Sequence, residues 1–302
     1  MIKNGVLYGL GATDMKGALA AMVYAAGLVQ AHERELKGSM MLAFVVQEEP
    51  CEGLAVRMLM EEEEIRPDWV VLGEPTDLQI SRGHRGRVML RVTTRGRSSH
   101  ASQPHLGDNA VYAAARLIFG VEMMQDDLPK DPLLGPGTIA VTDIRSRSAS
   151  LNAVPDMCTF YLDRRLTLGE TASGALAQVE ALIAREGLAA TVEITQSQAT
   201  SYAGHSCQAE EAFPAWVLEA EHPLVSRLRQ TVARTLGNHP RVIHWDFSTD
   251  GVYTMGQVNI PTVGFGPGDP NRAHTTQEQV RLKDVVRAAE VYTAFALDML
   301  SG

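Results

Sequence analysis

The sequence is poor in cysteine, in aromatic residues and in long apolar runs. Its three cysteines, Cys51, Cys158 and Cys207, stand far apart among 302 residues, and no two form a C-x-x-C pair. So odd and sparse a count excludes a disulfide framework and points to a reducing, cytoplasmic setting. No apolar run approaches the roughly 20 residues of a membrane span. The start, Met1-Ile-Lys-Asn-Gly, lacks the pattern of a signal peptide. Positive charge is the minority: 27 Lys+Arg face 36 Asp+Glu, a net charge of −9. That balance argues against nucleic acid, whose backbone calls for clustered Lys and Arg. It suits a protein that gathers carboxylates around a metal. The first 13 residues also contain no histidine. The remaining composition, 45% hydrophobic and 21% charged, is that of a globular chain and excludes disorder. At roughly 100–200 residues per domain, two domains are expected.

Residues 5–31 read as a short strand, a Gly-rich turn and an Ala-rich helix over 16–31. That helix is apolar on nearly all sides and is expected to be buried. The run Ser39-Met-Met-Leu-Ala-Phe-Val-Val-Gln47 is continuously apolar and predicts a central, parallel-type strand. A helix near 52–64 follows, with a solvated acidic end at Glu61–Glu64, and then a buried strand over 68–73. This alternation predicts an open α/β sheet. From about 82 the texture changes. Residues 86–95 alternate at period two, as an antiparallel strand with one wet face does. Next come a helix near 108–124, a Pro/Gly-rich loop over 129–137, and strands near 138–146 and 156–165. A helix near 170–186 and a strand near 190–196 complete an α+β layer. Beyond 200 the pattern predicts a loop, a helix near 222–236, strands near 241–245 and 261–265, a Gly/Pro loop over 266–272, and a final helix near 282–300. The economical reading is an α/β domain over 1–81 and 201–302, interrupted by an inserted α+β domain over 82–200.

Four places combine acids or histidine with turns or strand ends, where ligands of open α/β sheets gather. Asp14 lies in Gly9-Leu-Gly-Ala-Thr-Asp-Met-Lys-Gly17, Glu48-Glu49 follow the apolar run, Glu74 follows the next strand, and His274 follows the 266–272 loop. Each alone has a plain alternative. Asp14 suits a helix cap, the glutamate pair a solvated strand end, Glu74 a turn, and His274 a structural hydrogen bond. The glycines near Asp14 match neither a dinucleotide fingerprint nor a P-loop. Together, three carboxylates and an imidazole suit a borderline cation such as zinc. The adjacent pair allows one glutamate to ligate and the other to handle protons.

The ordered motifs are Gly9-Leu-Gly-Ala-Thr-Asp14-Met-Lys-Gly17, Gln47-Glu48-Glu49, Gly73-Glu74-Pro-Thr76, Arg97-Ser-Ser-His100-Ala, Asn152-Ala-Val-Pro155, Asp163-Arg-Arg165, and Gly266-Pro-Gly268 with Ala273-His274. With them the chain resembles, over its full length, the M20 family of metallohydrolases. That group holds aminoacylases, acetylornithine deacetylases, succinyl-diaminopimelate desuccinylases and carboxypeptidases. The stretches Glu48-Glu49-Pro-Cys-Glu-Gly53 and Trp245-Asp-Phe-Ser-Thr-Asp-Gly251 look most like its selenium-metabolism-linked branch.

The resemblance implies a zinc-peptidase-like open sheet with an inserted ferredoxin-like lid through which two copies pair as a homodimer. It implies hydrolysis of an amide bond in a small N-acyl amino acid or dipeptide-like substrate with a free carboxylate. One or two zinc ions are implied, with cobalt or manganese as alternatives. Asp14 matches the bridging carboxylate, followed by a cis peptide to Met15. Glu49 and His274 match the ligands of one ion, Glu74 a ligand of the other, and Glu48 the general base. His100 matches a residue that polarises the scissile carbonyl. Asn152 and Arg165 match the grip on the substrate carboxylate, for which a guanidinium fork is suited; the plain alternative for Arg165 is an internal ion pair. Gly266 and Gly268 are expected to offer backbone contacts near substrate. His84, His105, His244 and Asp250 are further candidates to line the cleft.

The family pattern also has an H-x-D motif upstream of the bridging Asp. Here 13 residues precede Asp14, and none is histidine. An N-terminal part of the pattern, with its first helix and strands, is therefore expected to be absent, leaving an exposed strand edge or apolar face. The ion shared by Asp14, Glu49 and His274 has three ligands and an open position. The ion at Glu74 lacks a partner, so at most one well-held metal is expected. A weakly active or non-catalytic binding form is the rival reading.

Overall fold

The Ala-rich stretch forms the helix Gly17–Gln30, which packs against the C-terminal helix Leu282–Leu300. The computed structural model describes residues 1–301. A third helix, Pro223–Leu236, also lies against Leu282–Leu300. Its ends follow from local chemistry: the His222 side chain accepts from the Leu224 N–H, proline opens the first turn, and left-handed Gly237 closes the last. These helices bury Ala21, Ala25, Leu228, Val291 and Phe295 against Ile80, Trp245, Val263 and Phe265 of a five-stranded sheet.

In that sheet Thr262–Gly264 runs parallel to Val70–Leu72, and Val242–Trp245 runs parallel to Ile80–His84. Trp216–Val217 joins Ile80–His84 antiparallel, and a single antiparallel pair, Gly264 with Ser81, links the two halves. Gly264 is required here. A Cβ on it would lie 1.8 Å from the Trp245 ring, whose indole N–H donates to the Pro75 carbonyl at 2.9 Å.

The second core belongs to the inserted layer. Its strands run in the order Ala190–Ile194, Gly86–Arg95, Met157–Leu166, Thr138–Arg147, all antiparallel. Residues alternate in burial along Gly86–Arg95 and Met157–Leu166, as the period-two pattern requires. The inward residues, among them Val88, Leu90, Phe160 and Leu162, meet Leu117 and Val179 of the helices Ala110–Met124 and Ala172–Glu186. Asn109 and Thr171 cap those helices through their side chains. The chain enters this layer after His84 and leaves it near Ala212–Phe213, which pairs back onto Gly86–Arg95. The two crossings touch closely: a Cβ on Gly86 would lie 2.5 Å from both the Phe213 carbonyl oxygen and the Ala215 nitrogen.

Three expectations need correction. The apolar run over 39–47 is not a central strand: it forms no regular element and pairs with no strand. A strand needs a neighbour for its N–H and C=O groups. Among the described residues no strand pairs with this run, and Met41, Phe44 and Val46 are exposed. The helix Gly17–Gln30 is buried on one face only. Ala18, Ala21, Ala25 and Val29 face the core, whereas Val23, Tyr24 and Leu28 are exposed. Third, the loop expected after 200 is in large part a hairpin, Gln196–Thr200 with Ser206–Glu210. Its inner residues Cys207 and Ala209 pack on Cys51, Leu54, Phe213 and Val252. The acidic run Glu61–Glu64 is solvent-exposed, at and beyond the end of the helix Leu54–Glu62. Among the described residues, no helix is long and apolar enough to cross a membrane.

Candidate metal centre

Asp14 sits in a tight turn over Ala12–Lys16 that follows the strand Val6–Tyr8. That strand pairs antiparallel with Gln279–Arg281, which sets buried Glu278 against the turn. Glu278 Oε1 accepts from the backbone N–H of both Thr13 and Asp14, at 3.0 and 3.1 Å. The Thr13 hydroxyl donates to the Gln279 carbonyl at 2.6 Å. The Asp14–Met15 peptide is cis. His274 follows the short 3-10 turn Pro270–Arg272 and has a left-handed backbone, φ 60. Its Nε2 lies 3.1 Å from Asp14 Oδ2 and 3.2 Å from Glu49 Oε2. One donor atom from each of Asp14, Glu49 and His274 falls within 4.8 Å of the others. The His274 and Glu49 side chains are 63% and 59% exposed, so the group opens to solvent on one side, while Asp14 forms its floor at 16%.

Glu74, beyond the C-terminal end of Val70–Leu72, is buried close to Asp14. Its carboxyl is pushed well above the usual range, first by burial and then by the charge of Asp14. It lies outside the three-residue group. Glu48 is half-buried next to them. Burial, then the charges of Glu74, Asp250, Glu52 and Glu49, push its carboxyl well above the ordinary value. Glu49 is raised as well, by burial and by Asp14, with His274 opposing.

The two loop glycines let these turns approach closely. A Cβ on Gly266 would lie 2.4 and 2.5 Å from the carbonyl oxygens of Gly73 and Glu74. Gly268, at φ 91, lies against Thr13.

The inserted-layer candidates do not contact this group. His100 Nδ1 lies 2.7 Å from Ser102 Oγ, and Asn152 lies beside it, its carbonyl accepting from the Ala101 N–H at 2.8 Å. Arg165 binds Asp163 through two parallel hydrogen bonds, 2.7 and 3.0 Å. This is the internal pair named above as its plain alternative, and it takes donors on Nε and Nη2. Of the further candidates, His105 sits in an exposed turn, and His244 Nε2 lies 3.9 Å from Asp246. His84 is wholly buried where the chain enters the inserted layer, edge-on to Trp216. Asp250 is buried, its carboxyl raised to about 6 by burial, and accepts from the Gly53 N–H at 2.8 Å.

Sequence reasoning missed Glu278 as a support of the Asp14 turn, and it missed Glu52, Arg87 and Ser248 around the 48–53 loop. Glu52 lay inside a quoted motif. Ser248 lay inside another, and no spacing signal marks Glu278 or Arg87, because their partners are up to 265 positions distant.

Two carboxylate oxygens and an imidazole nitrogen, clustered and open on one side, form a donor set that fits a borderline divalent cation. Residues 1–298 match the sequence profile described as peptidase family M20/M25/M40. The chain is 38% identical over 301 residues to protein YgeY of Escherichia coli K12, covering 100% of this chain and 75% of YgeY. It is 27% identical to succinyl-diaminopimelate desuccinylase of Alkalilimnicola ehrlichii, covering 97% and 75%. Acetylornithine deacetylase of Vibrio atlanticus is 28% identical, with 91% and 68% covered. Among solved structures, aminopeptidase PepT of Bacillus cereus superposes with a TM-score of 0.72 at 20% identity, covering 98% and 74%. The Bacillus subtilis YXEP protein, described as a dinuclear metal binding peptidase, gives 0.64 at 15%, covering 93% and 70%. By its match along nearly the whole sequence, and by its likeness to YgeY, the chain belongs to peptidase family M20/M25/M40, a family of metal-dependent hydrolases.

Proposed function

We propose that this chain hydrolyses the amide bond of a small N-acyl amino acid or dipeptide-like substrate bearing a free carboxylate. The observation that carries the reading is the convergence of Asp14, Glu49 and His274 within 4.8 Å, with Glu48 beside them. Those three residues would hold a divalent cation, and the donor chemistry favours zinc, with cobalt or manganese as substitutes. Such a cation supplies Lewis acidity, polarising a carbonyl and lowering the pKa of a water to about 7. Glu48 is the base. It takes one proton from the attacking water as the water oxygen bonds to the carbonyl carbon. It returns that proton to the nitrogen as the C–N bond breaks, giving a carboxylic acid and an amine, which then exchange a proton to leave as carboxylate and ammonium. Its carboxyl, raised by burial and by neighbouring acids, accords with this reading, because such a carboxylate takes up a proton more readily than a free one. His100 would hold the developing negative charge on the carbonyl oxygen. Asn152 and Arg165 would bind the substrate carboxylate, with Gly266 and Gly268 offering backbone contacts.

The proposal extends to a homodimer through the inserted layer, whose helix Ala110–Met124 exposes Tyr112, Phe119 and Met123. Three free cysteines suit a reducing cytoplasm.

The test is a zinc-supplemented hydrolysis screen of N-acyl amino acids, including N-acetylornithine and N-succinyl-diaminopimelate, on this chain and on Glu48→Gln. Release of free amine by the parent chain and its loss in Glu48→Gln support the reading. No hydrolysis of any member, or equal rates in both proteins, would overturn it and favour a non-catalytic binding protein.

A further inference from the structure

We propose that Glu52 is a positioning residue. It ties the loop that carries Glu48 and Glu49 to the inserted layer through Arg87, so that the orientation of this layer sets the position of the base. The proposal rests on Glu48 being that base. It starts from a juxtaposition: the stretches 48–53 and 245–251, far apart in sequence, form one buried polar unit.

Glu52 is 8% exposed, and both of its carboxylate oxygens are engaged. Oε1 accepts from the Ser248 hydroxyl at 2.7 Å, and Oε2 accepts from Arg87 Nη2 at 3.0 Å. The next residue is pinned too. The Gly53 N–H donates to Asp250 Oδ1 at 2.8 Å. Its Cα lies so close to the following turn that a Cβ would sit 2.5 Å from Val252 Cγ2 and 3.1 Å from Tyr253 Cβ. Ser248 and Asp250 belong to the loop after Val242–Trp245, so they anchor residues 52–53 to the five-stranded sheet.

Arg87 anchors the same carboxylate to the other body. It is the second residue of Gly86–Arg95, at the point where the chain enters the inserted layer. Phe213, on the returning chain, is its register partner on one side, and the guanidinium lies 5.0 Å from that ring centroid. Its partner on the other side is Arg165. Two arginines directly opposite one another on a sheet repel, and here each has its own carboxylate, Glu52 for Arg87 and Asp163 for Arg165. Arg87 therefore travels with the inserted layer and with Arg165. Any swing of that layer pulls on Glu52, four residues from Glu48. Arg87 is half-buried and Glu52 buried, with side chains 18% and 8% exposed, so removing the guanidinium strands the Glu52 charge away from water.

Hydrogen–deuterium exchange on the full chain tests the link, comparing the parent with Arg87→Met, Arg87→Lys and Ser248→Ala. In Arg87→Met, peptides covering 48–54 should exchange about tenfold faster, the scale of losing one hydrogen bond to a charged group. The core strand Met157–Leu166 should stay protected. Arg87→Lys keeps the charge and should fall between. Ser248→Ala, which removes the other anchor, should also loosen 48–54. Unchanged exchange at 48–54 in Arg87→Met overturns the proposal. So does an equal loss of protection across the whole chain, which marks general destabilisation. In turnover assays with zinc on a substrate from the screen above, Arg87→Met should lower kcat and leave KM unchanged. If the parent hydrolyses nothing, the functional reading fails while the exchange data still decide the link.

Discussion

Glu278 holds Asp14 from the far end of the chain: a single carboxylate oxygen accepts the backbone N–H of Thr13 at 3.0 Å and of Asp14 at 3.1 Å. The Asp14 turn is thus shaped by a residue just ahead of the strand Gln279–Arg281. Replacing Glu278 by glutamine keeps an acceptor oxygen; replacing it by alanine leaves two N–H groups without a partner. Glu278→Ala should cost about 1–3 kcal/mol of stability and weaken metal binding about 10–100-fold, the range for lost outer-shell support. Glu278→Gln should lose much less of both. Denaturant titration and zinc competition against a chromophoric chelator measure the two effects, and equal losses in the two variants would show that the acceptor is not the cause.

The same competition assay addresses stoichiometry. One zinc per chain should bind tightly, because Asp14, Glu49 and His274 form one three-donor group that Glu74 does not join. His274→Ala should abolish the tight equivalent. Glu74→Gln should leave it in place. Two tight equivalents in the parent chain contradict this arrangement.

For the base, Glu48→Gln should lower kcat by about 10²–10⁴-fold, the usual scale for a lost acid–base group. Zinc affinity should stay close to that of the parent, since Glu48 lies outside the three-donor group. A matching loss of zinc would recast Glu48 as a ligand.

His84 carries a pH dependence of stability. Burial lowers its imidazole from 6.5 to about 4 in the folded chain. Between these values the unfolded chain holds a proton that the folded chain rejects, so the contribution of His84 to stability falls as pH drops from 6.5 to 4. The full effect is about 3 kcal/mol. The raised carboxyls of Glu48, Glu74 and Asp250 act in the opposite sense. The difference between His84→Gln and the parent isolates the imidazole. Unfolding free energies at pH 7, 5.5 and 4.5 should show a flatter acid arm in the variant, and parallel arms would remove His84 from the account.

Where residues interact with near neighbours, the sequence was legible. The helix Pro223–Leu236 is written in its cap, its first-turn proline and its closing glycine, and Gly86–Arg95 in its alternation. Asp14, Glu48, Glu49, Glu74 and His274 were each visible as acids or imidazole at turns and strand ends. The apolar run over 39–47 misled because periodicity reports the chemistry of a segment and not the presence of a neighbour to pair with it. The exposed Val23, Tyr24 and Leu28 mislead in the same way.

The residue types, their order and their family signature belong to the sequence alone, and with them the kind of chemistry this chain can support. Folding decided which groups meet. Asp14 and His274 are 260 positions apart, yet their donor atoms approach to 3.1 Å. Glu278 reached the Asp14 turn only because Gln279–Arg281 pairs with Val6–Tyr8, and Glu52 met Arg87 only where the chain crosses between two sheets. The physical reason is range. Caps, turns and alternation act over a few residues, whereas burial and charge act through space. The raised carboxyls of Glu48 and Glu74 therefore arise only once the packed sheets bring acids from distant segments together and exclude water from them.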